Sequence, residues 1–539
     1  MTTPVALGQR AARHSVVGLV AIIGVCVAMP TVLAAVTGNL AIPHNDAWAY
    51  SLITERFAKT GAIRLVGWNH PFSVGQVVAL GPLGSSIVTQ QLFVAVVAMA
   101  ALGATFVLLS TAMSPARALF GVAVVGAFPG LGLLSTSFMG DVPTYCTIIL
   151  TLLIGRGAIE RRSSTGLALA VAIGVWGFTI RESAIAASAC VLICAFVTWT
   201  DSQKRRQVVA LAGLSMTVAV ALLAWRRSLA NGQPPVLVVH PKAGAIVCAD
   251  AWFTLGLLLL PATAATLRPS SWSAPARWAA VITAGVGAVP LARLHGLLLG
   301  NYLDAHGAYS IVLLGTRHVL PSPVWGPLQV GAWVGGTLLS GELVDGFRRL
   351  DLSVRWFAAL TALGTSVVAM LGEPTFDRFL LPLSPVGLIM ILGGANRRAI
   401  PGVRAIAASG LLVALLAVSL TITMNGLAFD STRWRAAESL VHGGVSPSDI
   451  DAGLEWVGYH YPGPAVNARP TKEREGLPWY AQTLFPSAGE CYVLTSSPIT
   501  GLGQIVRSVA YRTYLTFGHS QLIVYDTGRC HPTSAKRRE

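Results

Sequence analysis

Residues 15–37 read SVVGLVAIIGVCVAMPTVLAAVT, an unbroken run without a charged side chain. A helix of this length covers about 30 Å, the hydrocarbon thickness of a bilayer. Arg10 and Arg13 precede it. The run therefore predicts a first membrane-spanning helix whose basic flank stays on the cytoplasmic side. Its end, Val32-Leu33-Ala34-Ala35, faintly resembles a signal-peptidase site. The many apolar runs that follow favour an uncleaved helix. On leaving the run the chain reads His44-Asn45-Asp46-Ala47-Trp48-Ala49-Tyr50. Trp and Tyr prefer the headgroup level, because each ring is apolar at one end and wet at the other. A carboxylate beside them can stay ionised and accept a proton. Asp46 is thus a candidate general base, and the plain alternative is an interfacial anchor with an incidental acid.

Composition extends the membrane reading to the whole chain. Of 539 residues only 11% are charged, against roughly 25% in a soluble domain. With a mean hydropathy of +0.63, a soluble fold is excluded. The formal net charge of +15 does not point to nucleic acid. The basic residues fall in short loops between apolar runs, which is the pattern of the positive-inside rule.

Taken in order, spans are expected at 15–37, 87–109, 119–138, 144–154, 167–180, 184–199, 208–225, 249–267, 278–299, 328–339, 356–371, 379–392 and 406–424. That makes about thirteen, several of them short for a bilayer. Every loop assigned inside carries basic residues, among them Arg117, Arg156, Lys204, Arg268, Arg348, Arg397 and Arg404. The first external loop, 38–85, holds an amphipathic stretch over 48–65 that predicts a helix along the membrane surface. Trp68-Asn69-His70-Pro71 then turns the chain back.

Beyond residue 425 apolar runs shorten and Gly, Pro, Tyr and charged residues rise. A helix is expected at 431–441 and strands at 491–494 and 521–525. The fold class is thus a mainly α, polytopic membrane protein. Residues 1–425 form its transmembrane domain and 426–539 a small extracytoplasmic α+β domain. In such a compartment Cys491 and Cys530 form a candidate disulfide closing a loop of about 40 residues. The other five cysteines lie in or beside apolar runs and read as packing residues. No CxxC or HExxH spacing appears, so no metal site and no cofactor is indicated; a divalent metal stays an open possibility.

The few external charges gather at the outer ends of outgoing spans: Asp46, Asp141, Arg181-Glu182 and Asp377-Arg378. Charges so near hydrocarbon are costly unless they are paired or line a wet cavity. A base with two guanidinium groups at one depth suits a substrate with an anionic group and a sugar, since Arg grips phosphate and the acid takes a hydroxyl proton. Plainer readings exist. Arg181-Glu182 can be an interfacial ion pair, Arg378 a snorkelling anchor, and Asp141 before Pro143 a helix start.

These motifs together resemble a known family, the GT-C glycosyltransferases, in the branch of protein O-mannosyltransferases and lipid A aminoarabinose transferases. The points of resemblance are Asp46-Ala47-Trp48-Ala49-Tyr50, Asp141-Val142-Pro143, Arg378-Phe379-Leu380-Leu381-Pro382, and the tail around Asp451-Ala452-Gly453-Leu454-Glu455-Trp456. Many relatives carry a second acid where Ala47 stands, which weakens the inference of a metal. The resemblance implies transfer of one sugar, with inversion, from a polyprenyl-phosphate donor to a lipid, glycan or protein acceptor in the cell envelope. Asp46 is then the base, and Asp141 supports the site. Arg378 and Arg181 hold the donor phosphate, and Trp48, Tyr50, Glu182 and His44 contact substrate. A polytopic lipid or solute transporter, or flippase, without transferase activity is the alternative; an assembly scaffold would explain the external domain but not the acid–aromatic loop. No clear internal repeat of the transporter kind is visible.

Overall fold

The computed structural model describes residues 4–67, 74–231, 238–292, 296–309, 313–315, 319–393, 402–466, 478–486, 488–514 and 519–530. The turn expected at 68–71 and the basic residues Arg397 and Arg398 lie outside them. The fold is mainly helical. Among the described residues, eight helices are long and apolar enough to cross a membrane, from Arg13–Val36 to Gly402–His442.

The apolar sequence runs explain most of these helices, and glycine sets how close some of them come. The helices Pro241–Thr266 and Ser322–Gly346 cross at Gly256, where an added Cβ would lie 2.1 Å from the backbone nitrogen of Gly336. Only bare backbone fits there, the small-residue packing that apolar helices use when no water drives them together.

Four expected spans differ from what forms. Residues 119–138 make two pieces, Pro115–Gly126 and Leu131–Ser135. Pro129 lies between them and cannot continue the ladder. The break admits the Tyr302 ring, which an added Cβ on Gly130 would meet at 2.5 Å. The helix expected at 278–299 is Ala274–Ala292 instead. Residues 297–303 return as irregular chain with Leu297, Leu299, Tyr302 and Leu303 buried. At 379–392 there is a 3₁₀ turn Asp377–Leu383, a single helical turn Ser384–Leu388 and a π turn Ile389–Gly393. Pro382 and Pro385 both withhold a backbone donor from this segment. The span expected at 406–424 and the helix at 431–441 are one helix, Gly402–His442. At 41 residues it is about 60 Å long, twice a bilayer core. The boundary expected at 425/426 therefore falls inside a continuous element.

Past that helix a four-stranded sheet forms in the order β1-β2-β4-β3. β1 is Ile450–Asp451, β2 Tyr492–Thr495, β3 Gln504–Arg512 and β4 His519–Asp526. β3 was not foreseen: it is exposed along most of its length and shows little alternation. One apolar core joins the sheet (Leu494, Leu522, Val524), the end of the long helix (Phe429, Trp434) and the first loop (Trp48, Ile53). The first-loop helix spans Ala47–Thr60, and its apolar face packs into protein, not along a lipid surface.

Cys491 and Cys530 are bonded, with Cα atoms 5.2 Å apart. Reduction is expected to cost this unit about 3–4 kcal/mol, read as a lower denaturant midpoint in the presence of thiol. Unchanged gel mobility on reduction, with both thiols alkylated in the unreduced protein, rules the bridge out.

Candidate functional site

Asp46, Asp141, Arg181 and Arg378 meet although they come from four separate segments. Each stands at the end of an element, and its backbone position explains why its side chain is available.

Asp46 is the N-cap of the Ala47–Thr60 helix but makes no capping bond to it. Its Oδ2 lies 3.7 Å from Nη2 of Arg378. Asp141 opens the Asp141–Glu160 helix, two residues ahead of Pro143. Its Oδ1 is 2.9 Å from Nη1 of Arg181 and 3.6 Å from Nε of Arg378. Both carboxylates thus sit at helix N-termini, where the backbone dipoles favour negative charge. Arg181 ends the Ser164–Ile180 helix in an extended conformation, the end at which a cation is favoured.

Arg378 is the centre of the group. Its side chain is 4% exposed and Asp46's is 22%, so the acid has the better access to an incoming molecule. The guanidinium lies 4.8 Å from the Phe376 ring centre and 5.6 Å from that of Phe379. Arg181 approaches the Phe379 ring to 4.7 Å. Aromatic faces attract cations, which helps two guanidinium groups share one site. Nη1 of Arg378 donates to Oδ1 of Asn301 at 3.3 Å. Its Nε is buried without a hydrogen-bond acceptor among the described residues. The two ion pairs of Arg378, at 3.6 and 3.7 Å, are too long to be hydrogen bonds.

Asp377 points the other way. Its Oδ2 accepts from the backbone N–H groups of Tyr302 at 2.9 Å and Leu303 at 2.6 Å. Burial pushes its carboxyl up to about 7, against the lowering effect of the Leu303 N–H and of Arg378. Asp377 thereby fastens residues 300–303 beside Arg378. Sequence reasoning missed Asn301 and Tyr302, because the apolar run before them reads as part of a span. The one available signal was Gly300-Asn301, a turn pair. Asn301 adopts φ +149°, a value rare outside glycine.

Of the expected substrate contacts, Tyr50 lies near the charged group, and Trp48, Glu182 and His44 are engaged by other residues. Trp48 is 1% exposed and packs edge-on against Phe485. A Cβ on Gly458 would strike its ring at 2.6 Å, so only glycine lets the Leu454–His460 helix approach this far. Trp48 is a core residue of the loop, in place of the headgroup-level aromatic expected. Tyr50 is buried near the charges; burial first, and then the negative charge of Asp46, raise its hydroxyl pKa. Glu182 pairs with Arg226. His44 is 5% exposed and both its ring nitrogens meet protein: Nδ1 lies 2.7 Å from Oδ2 of Asp430, and Nε2 3.1 Å from the Asn39 carbonyl. It is spent on structure and offers no ring nitrogen to a substrate.

A small apolar cavity of about 20 Å³ lies between the helices Ser164–Ile180 and Ser202–Ser228. Phe178, Ile180, Leu222, Leu223 and Trp225 line it, and Glu182 and Arg226 border it. Among the described residues no group of three or more His, Cys, Asp or Glu side chains is placed to hold a metal ion. No family model matches the chain, and no curated protein matches it.

Proposed function

We propose that the chain is a membrane glycosyltransferase that moves one sugar from a polyprenyl-phosphate donor to an acceptor hydroxyl. The observation that carries the reading is the meeting of Asp46 and Asp141 with Arg181 and Arg378. In this reading the Ser322–Gly346 helix, the shorter helices at 164–180 and 182–198, and the broken segments at 115–135 and 377–393 raise the eight long helices to about thirteen crossings, and the site faces the extracytoplasmic side together with the sheet-bearing unit.

The chemistry follows from the placement. Asp46, the most accessible acid of the group, takes the proton of the acceptor hydroxyl. The freed oxygen attacks the anomeric carbon from the face opposite the phosphate, so the configuration inverts. The bond from that carbon to the phosphate oxygen breaks, and the pair of electrons leaves with polyprenyl phosphate. Arg378 and Arg181 stabilise the charge that develops there, in a setting where water is scarce and such stabilisation is strong. The bare Nε–H of Arg378 suits an anionic oxygen. Asp141 keeps the two guanidinium groups at one depth.

The test is release and transfer of sugar from a radiolabelled polyprenyl-phosphate sugar by purified protein in detergent. Transfer supports the reading; intact donor across a panel of sugars and acceptors ends it and favours a transporter. Within an active protein, Arg378→Ala is expected to raise the donor KM by about tenfold or more and to exceed the effect of Asp141→Ala. Donor binding unchanged by Arg378→Ala makes its role structural.

A further inference from the structure

A closed ring of buried groups grips the two residues directly ahead of Asp46. Oδ2 of Asp430 meets Nδ1 of His44 at 2.7 Å, and Oδ1 of Asp430 accepts from Nη2 of Arg433 at 2.8 Å. Nη1 of Arg433 donates to Oε2 of Glu455 at 2.8 Å. Oε1 of Glu455 then accepts the backbone N–H of Asn45 at 3.0 Å, which returns the path to the residue after His44. Arg433 is fully buried, and Asp430 and Glu455 are 2% exposed. The carbonyl of His44 also accepts from the Ser137 hydroxyl at 3.1 Å.

The bonding pairs the buried groups. Nε2 of His44 faces a carbonyl and Nδ1 faces a carboxylate oxygen, both at hydrogen-bond distance. Arg433 faces two carboxylates, and such pairing is what deep burial of charge requires. The ring also holds Asn45 at φ +54°, a left-handed conformation that Asn tolerates better than most residues. Asp46 follows at once, and its side chain makes no capping hydrogen bond to the helix it opens.

We infer that His44, Asp430, Arg433 and Glu455 are positioning residues for Asp46. They fix the peptide at 44–45 from both sides, so the carboxylate is presented at one depth and angle to the acceptor. Since Asp430, Arg433 and Glu455 belong to the long helix Gly402–His442 and the unit beyond it, that unit completes the site without touching substrate. This inference rests on the glycosyltransferase reading.

The experiment uses the full chain in detergent and the same labelled donor. Glu455→Gln and Asp430→Asn each keep size and an acceptor oxygen but remove a carboxylate that faces Arg433. Each is expected to lower kcat by about ten- to a hundredfold with donor KM changed less than about threefold, since an ångström of misplacement costs rate more than binding. The double variant is expected to be no slower than the worse single one, because opening the ring at either point frees the same peptide. Ser137→Ala, which changes no charge, keeps the test alive if those variants do not fold; its kcat is expected to fall by about three- to tenfold at unchanged KM. Wild-type kcat in folded Glu455→Gln, Asp430→Asn or Ser137→Ala overturns the inference, as do losses that multiply in the double variant. A wild-type protein that moves no sugar overturns the underlying reading instead, and the inference with it.

Discussion

Asp46→Asn is expected to abolish sugar transfer, a loss of about 10²–10⁴-fold, the usual contribution of a general base. The substitution is a clean one for physical reasons. Asp46 stands at an N-cap position, and Asn serves there about as well as Asp. The side chain makes no capping hydrogen bond to the helix it opens. Its ion pair with Arg378 spans 3.7 Å, too long for a hydrogen bond, and Asn keeps the size of the side chain. Protein yield and unfolding midpoint are therefore expected to match the wild type, and donor KM to stay within about threefold. The amide cannot accept the hydroxyl proton, so the loss falls on kcat. Wild-type turnover in this variant would end the assignment of Asp46 as base.

The second large effect concerns folding. Arg433→Met is expected to destabilise the protein by about 3–5 kcal/mol, the cost of stranding buried charges without their partner. Two carboxylates lean on this guanidinium, which also donates to the carbonyl of Ala452 at 2.8 Å. Burial and the loss of Arg433 would both favour protonation of Glu455, whose pKa burial already raises against the pull of Arg433. The destabilisation is thus expected to shrink at low pH, where that carboxyl is neutral. Thermal unfolding of the purified variant between pH 7 and pH 5 checks both points. A shift below about 1 kcal/mol at pH 7 would show that the ring contributes little to stability. Replacing Glu455 by Leu in the same variant is expected to restore part of the loss, since apolar substitutes for a whole buried pair are often tolerated.

Much of the helical frame was legible because an apolar run of bilayer length has few other uses. The external charges were legible too. A carboxylate or guanidinium beside hydrocarbon is costly, and so Asp46, Asp141, Arg181 and Arg378 stood out. What the sequence hid is of two kinds. Irregular chain buried in protein looks like a span by composition alone: 297–303 is the case in point, and with it went Asn301 and Tyr302. Long-range pairing leaves no local mark. Asp430 and Arg433, three residues apart, read as an ordinary helical surface pair, and nothing near them names His44 or Glu455. Trp48 shows the converse error. An aromatic near a predicted membrane surface invites an interfacial reading, yet its ring closes a core against Phe485 and Gly458.

The partner of His44 lies 386 positions further along the chain. At about 5–20 residues per second of synthesis, the loop that carries Asp46 waits roughly 20–80 s for the side chains that lock it. Throughout that interval the His44 ring and the Asn45 N–H lack the partners they have in the folded chain. A chain ended before Asp430 therefore keeps its earlier apolar helices but has nothing to hold residues 44–45 in place.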